Sequence, residues 1–223
     1  MSDHPRAITL DSNLRQRLVT SAIALPPVLV SILLGGVPFA ILIGLVALLA
    51  LLEIWVMLRS RPIYVCLSLF YVVLPLILLI WMRQMVQGVF WVAAVVTLTW
   101  VTDIFAYIGG RVIGRTPLSP AVSPHKTVEG ALTGWTAGGL AMVAVLAIAG
   151  ALDGVTIWLA LIGPWMSILG DLFESAIKRR FAIKDSHLPG LDILPGHGGM
   201  LDRIDGLLFV SAFCAVFAAL GVM

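Results

Sequence analysis

The chain has 223 residues, 60% of them hydrophobic and only 12% charged, with a mean hydropathy of +1.06. That composition excludes a soluble globular domain, and a formal net charge of +2 is too small to point to a nucleic-acid partner. Cys66 and Cys214 each stand alone within an apolar run, which excludes a disulfide framework and a thiolate metal site and leaves both as packing residues.

Several apolar runs exceed the roughly 18 to 20 residues that cross a bilayer as helix, and strand-like alternation is absent. The expected fold class is therefore all-α, a polytopic integral membrane protein with about seven transmembrane helices. Residues 1 to 17 are polar and carry Arg6, Arg15 and Arg17 ahead of the run Leu18 to Leu34. The length of that run, its Pro26 and Pro27, and the lack of a small-x-small cleavage site favour a first helix over a signal peptide. Gly35, Gly36 and Pro38 make a turn into a second helix, about Phe39 to Leu58, with Glu53 near its end. The third helix covers about Ile63 to Met82, and the fourth about Val89 to Gly109, with Asp103 inside it. A polar stretch, Arg111 to Gly130, has too many prolines and glycines for a continuous helix and too many charges for the lipid core. The fifth helix spans about Ala131 to Ala151 and the sixth about Val155 to Gly170. The most polar stretch, Asp171 to Asp205, follows, and a seventh helix, about Gly206 to Val222, closes the chain.

Seven spans place the termini on opposite sides. Thirteen of the fourteen Lys and Arg residues, all but Arg83, fall on the N-terminal side, which is therefore expected to be cytoplasmic. That side gathers both polar loops, 111–130 and 171–205. The chain reads as one membrane domain, 1–223, in which the N-terminal helices of residues 1–96 are less characteristic and residues 97–222 hold the catalytic region.

The stretch 171–205 holds six of the twelve acidic residues and five of the fourteen basic ones, interleaved instead of sorted into blocks. If it begins by continuing the sixth helix, Asp171, Ser175 and Lys178 share one face at i, i+4 and i+7. Asp202 and Asp205, at i and i+3, share a face at the start of the seventh helix, with Arg203 turned away. Two carboxylates on one helix and a third on another suit Mg²⁺, with substrate phosphates completing its shell. Solvated loop charges and helix caps would account for the same residues. Gly196, His197, Gly198 and Gly199 precede the last helix, where close backbone approach and free N–H groups form a phosphate cradle or, equally, a plain turn. Asp103 is costly inside a span and is expected to line the site. Glu53 either reaches water or joins it. Ser123, His125, Lys126, Thr127 and Glu129 mix cations with hydroxyls in a way that suits phosphate or nucleotide contacts, with an ordinary cytoplasmic loop as the competing reading. The seven tryptophans, mostly near span ends, read as an interfacial belt, and Arg180 as a topology anchor only.

At these residues the sequence resembles the phosphatidate cytidylyltransferases, or CDP-diacylglycerol synthases. That signature, S-x-x-K-R-x4-K-D, then H-G-G, then D-R-x-D, reads here as Ser175, Lys178, Arg179, Lys184, Asp185, then His197, Gly198, Gly199, then Asp202, Arg203, Asp205. Gly170–Asp171, Asp103 with AYIGGRVIGR behind it, and the string Ser123 to Gly130 also look like the family's, with His125 where Lys is common. The resemblance covers about residues 97 to 222. The interval from Asp185 to His197, which holds His187 and Asp192, is several residues longer than the signature, and the chain is shorter than most bacterial members.

The resemblance implies transfer of a cytidylyl group from CTP to phosphatidic acid, giving CDP-diacylglycerol and pyrophosphate at the cytoplasmic face of the inner membrane. It implies Mg²⁺ on Asp171, Asp202 and Asp205, and K⁺ beside it. Lys178, Arg179, Lys184 and Arg203 would neutralise phosphate, with Asp185 and Ser175 in the catalytic set. His197, Gly198 and Gly199 would hold pyrophosphate or nucleotide, and the protein would be a homodimer. A CDP-alcohol phosphotransferase is the alternative suggested by the DxxDG at Asp202 to Gly206, but the seventh helix carries no further aspartate. An ion-coupled carrier would place ionisable residues mid-membrane on several helices, and this chain keeps them in loops. A catalytically dead homologue is the third alternative.

Overall fold

The computed structural model describes residues 12–59, 62–181 and 199–222. Among them are seven helices: α1 (Ser12–Leu34), α2 (Gly36–Leu58), α3 (Pro62–Gln84), α4 (Gly88–Ile113), α5 (Val128–Ile148), α6 (Ile157–Arg180) and α7 (Leu201–Ala219). Five of them, α2 to α6, are long and apolar enough to cross a membrane. The chain is a multi-pass membrane protein. Helix α7 falls outside that group because its first turns carry Asp202, Arg203 and Asp205, although its 19 residues are roughly 28 Å long. Leu45, Leu48, Leu52, Ile104 and Ile108 are exposed, as a lipid-facing surface requires, while Trp91, Leu98, Met142, Leu159 and Leu208 fill the core.

The boundaries differ from the sequence expectation in ways that matter for the site. Helix α4 runs through Gly109 and Gly110 to Ile113, because these glycines are where it meets α5. A methyl at position 130 would lie 2.6 Å from the Ala106 carbonyl oxygen, so the two backbones approach in the manner of small-residue membrane contacts. The stretch 111–130 is not irregular throughout. It contains an antiparallel hairpin, β1 (Pro117–Ser119) and β2 (Ser123–Thr127), the one departure from an all-helical chain among the described residues. Helix α6 continues past Gly170 to Arg180, and α7 begins at Leu201, so 171–180 and 201–205 are helix and not loop. Lys184, Asp185, His187, Asp192, His197 and Gly198 lie outside the described residues.

Arg83, the exception to the charge asymmetry, has a local explanation. Its guanidinium donates to the carbonyls of Ile32 (2.7 Å) and Leu33 (2.9 Å), closing the C-terminus of α1. Gly35, at φ +64°, leaves room for it: a Cβ there would stand 2.6 Å from the guanidinium carbon. The ends of α1 and α3 are thereby fixed together. Of the two cysteines, Cys214 is buried and packs in the core, whereas Cys66 is exposed, so the packing role holds for one only. Trp91 is likewise a core side chain, not part of a belt.

Candidate active site

Helices α6 and α7 touch backbone to backbone where Gly170 faces Gly206. A methyl at 170 would lie 2.5 Å from the Asp205 carbonyl oxygen, and one at 206 would lie 2.6 Å from Ser167 Oγ. Only hydrogen fits at this crossing. Asp171 follows one glycine and Asp205 precedes the other, so the crossing brings their carboxylates within electrostatic reach, with Asp103 of α4 as a third. Replacing Gly170 by valine should push the helices apart, cost about 1–3 kcal/mol of stability and lower activity more than tenfold, measured on folded protein. Full activity in that variant would show that the crossing does not set the site.

Lys126, on β2, answers this carboxylate cluster by pairing with Asp171. Asp103 accepts a hydrogen bond from Ser167 Oγ at 3.0 Å, and Asp205 accepts one from the Gly206 N–H at 2.7 Å. Beside them opens a cavity of about 590 Å³ whose lining includes Asp103, Asp171, Ser123, His125, Lys126 and Thr127, together with Tyr107 and Arg111. The hairpin thus forms one wall and α4 and α6 the others. Arg111 and Tyr107, joined by a 2.9 Å hydrogen bond, were missed by sequence reasoning. Tyr107 sits four positions beyond Asp103 and Arg111 eight, and the second spacing becomes visible only if α4 is carried past its glycine pair.

One turn along α6 lies a second polar cluster. Lys178 Nζ is 2.8 Å from Glu174 Oε2 and 2.7 Å from Asp202 Oδ1, with side-chain exposures of 13%, 2% and 18% for the three residues. Glu174 is the other site residue that the sequence reading passed over; its i, i+4 spacing to Lys178 was the available signal. Ser175 lies on the same face of α6 as Asp171 and Lys178 by helical spacing. Arg179 donates to the Val122 carbonyl at 3.2 Å, so it ties α6 to the hairpin as well as facing solvent. Arg203 is exposed on α7.

Two expectations change. Glu129 does not line the cavity: its carboxylate accepts the Arg115 and Thr116 amides (3.1 Å each) and the Thr116 hydroxyl (2.8 Å), holding the hairpin's entry. At the start of α7 the Met200 and Leu201 amides are already taken, while Gly196, His197 and Gly198 of the expected cradle lie outside the described residues. Glu53 of α2, 4% exposed, accepts the Met200 N–H at 2.7 Å and the Leu201 N–H at 2.8 Å, so it is neither solvated nor lining the cavity. Gly199 is buried beside this contact.

Among the described residues no group of three His, Cys, Asp or Glu side chains is arranged to hold a metal ion. Asp202 faces Lys178, while the Asp171 and Asp205 carboxylates lie within electrostatic reach of each other at the helix crossing. Two hard oxygen donors are a set that Mg²⁺ accepts when substrate phosphates supply further ligands. The donor chemistry therefore fits, and the cavity's cations suit phosphate.

A family model described as "Cytidylyltransferase family" matches residues 59–220, most of the chain. The chain belongs to the cytidylyltransferase family. A phosphatidate cytidylyltransferase of Rickettsia bellii is 33% identical over 208 residues, covering 90% of this chain and 88% of the relative. Those of Brucella abortus (45% over 124 residues) and Bacillus subtilis (44% over 128) each match 54% of this chain and 44% of their own length. The chain therefore spans nearly the whole of one relative and less than half of the other two. For a cytidylyltransferase, cations opposite carboxylates at the edge of an apolar bundle are the expected equipment, since nucleotidyl transfer depends on positioning and on neutralising phosphate oxygens.

Proposed function

We propose that the chain transfers the cytidylyl group of CTP to phosphatidic acid, forming CDP-diacylglycerol and releasing pyrophosphate. The observation that carries this reading is the cavity in which the Lys126–Asp171 pair, Asp103 and Arg111 meet beside the Gly170–Gly206 crossing. A phosphate oxygen of phosphatidic acid bonds to the α-phosphorus of CTP, and the bond from that phosphorus to the bridging oxygen breaks, leaving pyrophosphate. Lys126 and Arg111 neutralise non-bridging oxygens in the cavity, and the exposed Arg179 and Arg203 extend this positive field; resemblance to the family supports phosphate contacts for Lys178 and Lys184. Asp103 and Ser167 fix one wall. Mg²⁺ would be held by Asp171 and Asp205 and would supply charge neutralisation of the triphosphate; resemblance to the family adds Asp202 to that set. Resemblance to the family is what supports K⁺ beside Mg²⁺, a homodimer, and roles for Asp185, His197 and Gly198.

The site faces the cytoplasm of the inner membrane in this reading, with about seven spans and a cytoplasmic N-terminus, because thirteen of fourteen Lys and Arg residues fall at one end. A reporter fused after Met223 should lie outside the cytoplasm and one inserted at Pro120 inside it. Both reporters on one side would mean that an even number of spans follows Pro120, so that one of α5 to α7 does not cross. The reaction itself is tested with purified, detergent-solubilised protein, labelled CTP and Mg²⁺. Label should become lipid-extractable only when phosphatidic acid is present; no lipid product would overturn the proposal.

A further inference from the structure

Glu53 lies before the region matched by the family model, on a helix whose contact with α7 is slight apart from this one side chain. A buried carboxylate is costly without partners, and Glu53 finds two of them in the Met200 and Leu201 amides. These are the N-cap and first residues of α7, the end at which a helix favours negative charge. The next residue is Asp202, which reaches Lys178 at 2.7 Å, and Lys178 in turn reaches Glu174. A continuous chain of contacts therefore runs from α2 through the first turn of α7 to the polar face of α6.

We propose that Glu53 is a positioning residue for the transfer reaction: it clamps the first turn of α7 so that Asp202 is held against Lys178. This inference rests on the cytidylyltransferase reading for its activity measurements, and on geometry alone for the clamp. The carboxylate also occupies amides that would otherwise attract a substrate phosphate, so phosphate is directed to the cations of the cavity and not to the helix end.

The variants are Glu53→Gln, Met200→Pro, Asp202→Asn and the double Glu53→Gln/Asp202→Asn. Each N–H now has a carboxylate oxygen of its own, and glutamine replaces one of those oxygens by an NH₂ donor that opposes the N–H it faces. Proline at 200 removes one donor while adopting the φ of −66° already present there. Wild-type formation of CDP-diacylglycerol is measured first; its absence would refute the reaction and leave the clamp to be judged by hydrogen exchange. Glu53→Gln should lower kcat by about tenfold or more, with a smaller change in KM for CTP, and Met200→Pro should lower it less. In the Asp202→Asn background Glu53→Gln should cost less than about twofold, because its effect passes through Asp202. Amides of residues 199–204 should exchange faster in Glu53→Gln while later turns of α7 keep their protection. Should Glu53→Gln fail to fold, Met200→Pro alone and with Asp202→Asn decides by the same comparison. An unchanged kcat, equal losses in both backgrounds, or unaltered exchange at 199–204 would overturn the proposal.

Discussion

Replacing Asp171 by asparagine should lower kcat/KM for cytidylyl transfer by about a thousandfold or more, equivalent to about 4 kcal/mol of lost transition-state stabilisation. The residue stands at the one place where the hairpin cation, the α6–α7 crossing and the cavity meet. Asparagine keeps the volume, so packing is spared and the loss is that of charge. Asp205→Asn should behave alike, since its carboxylate lies within electrostatic reach of Asp171, and the double variant should be scarcely worse than either single, as expected of groups that act as one unit. Initial rates on folded, purified variants check this. Independent, multiplicative losses would mean that the two carboxylates serve separate steps.

The second large effect is on stability. Lys178 is the cation between two carboxylates that are almost withdrawn from solvent, Glu174 and Asp202. Lys178→Met removes the charge and keeps the apolar stem, leaving the buried Glu174 and the half-buried Asp202 without the cation between them. Breaking such a set from one side costs about 3–5 kcal/mol. The variant should therefore lose thermal stability in detergent, and Glu174→Gln added to Lys178→Met should restore much of it by replacing a buried carboxyl with an amide that needs no cation. If the single variant melts with wild type, the three groups are solvated and the cluster is not structural. If the second change restores nothing, the loss lies in packing and not in charge.

The legibility of these features in the sequence followed their range. The i, i+4, i+7 spacing of Asp171, Ser175 and Lys178 made the extension of α6 readable, because helical neighbours are local. The pairing of Gly170 with Gly206 has no local signature, and only the resemblance joined the two motifs. Glu53 could not be read at all: its partners lie 147 and 148 positions away, and a lone glutamate near a helix end looks the same whether it reaches water or caps another helix. The hairpin escaped notice because Pro117–Ser119 and Ser123–Thr127 are short and polar, without apolar alternation. Glu129 showed the opposite failure. Its residue type suited a ligand contact, but the hairpin amides claimed it.

The account stands most directly on which phosphorus bond breaks and where the fragments go. CTP labelled at the α-phosphate and CTP labelled at the γ-phosphate should be incubated in parallel with phosphatidic acid, Mg²⁺ and purified protein. The α-label should appear in extractable lipid and the γ-label in pyrophosphate, in equal amounts, with both signals falling about a thousandfold in Asp171→Asn. γ-label in the lipid fraction, or inorganic phosphate in place of pyrophosphate, would contradict it.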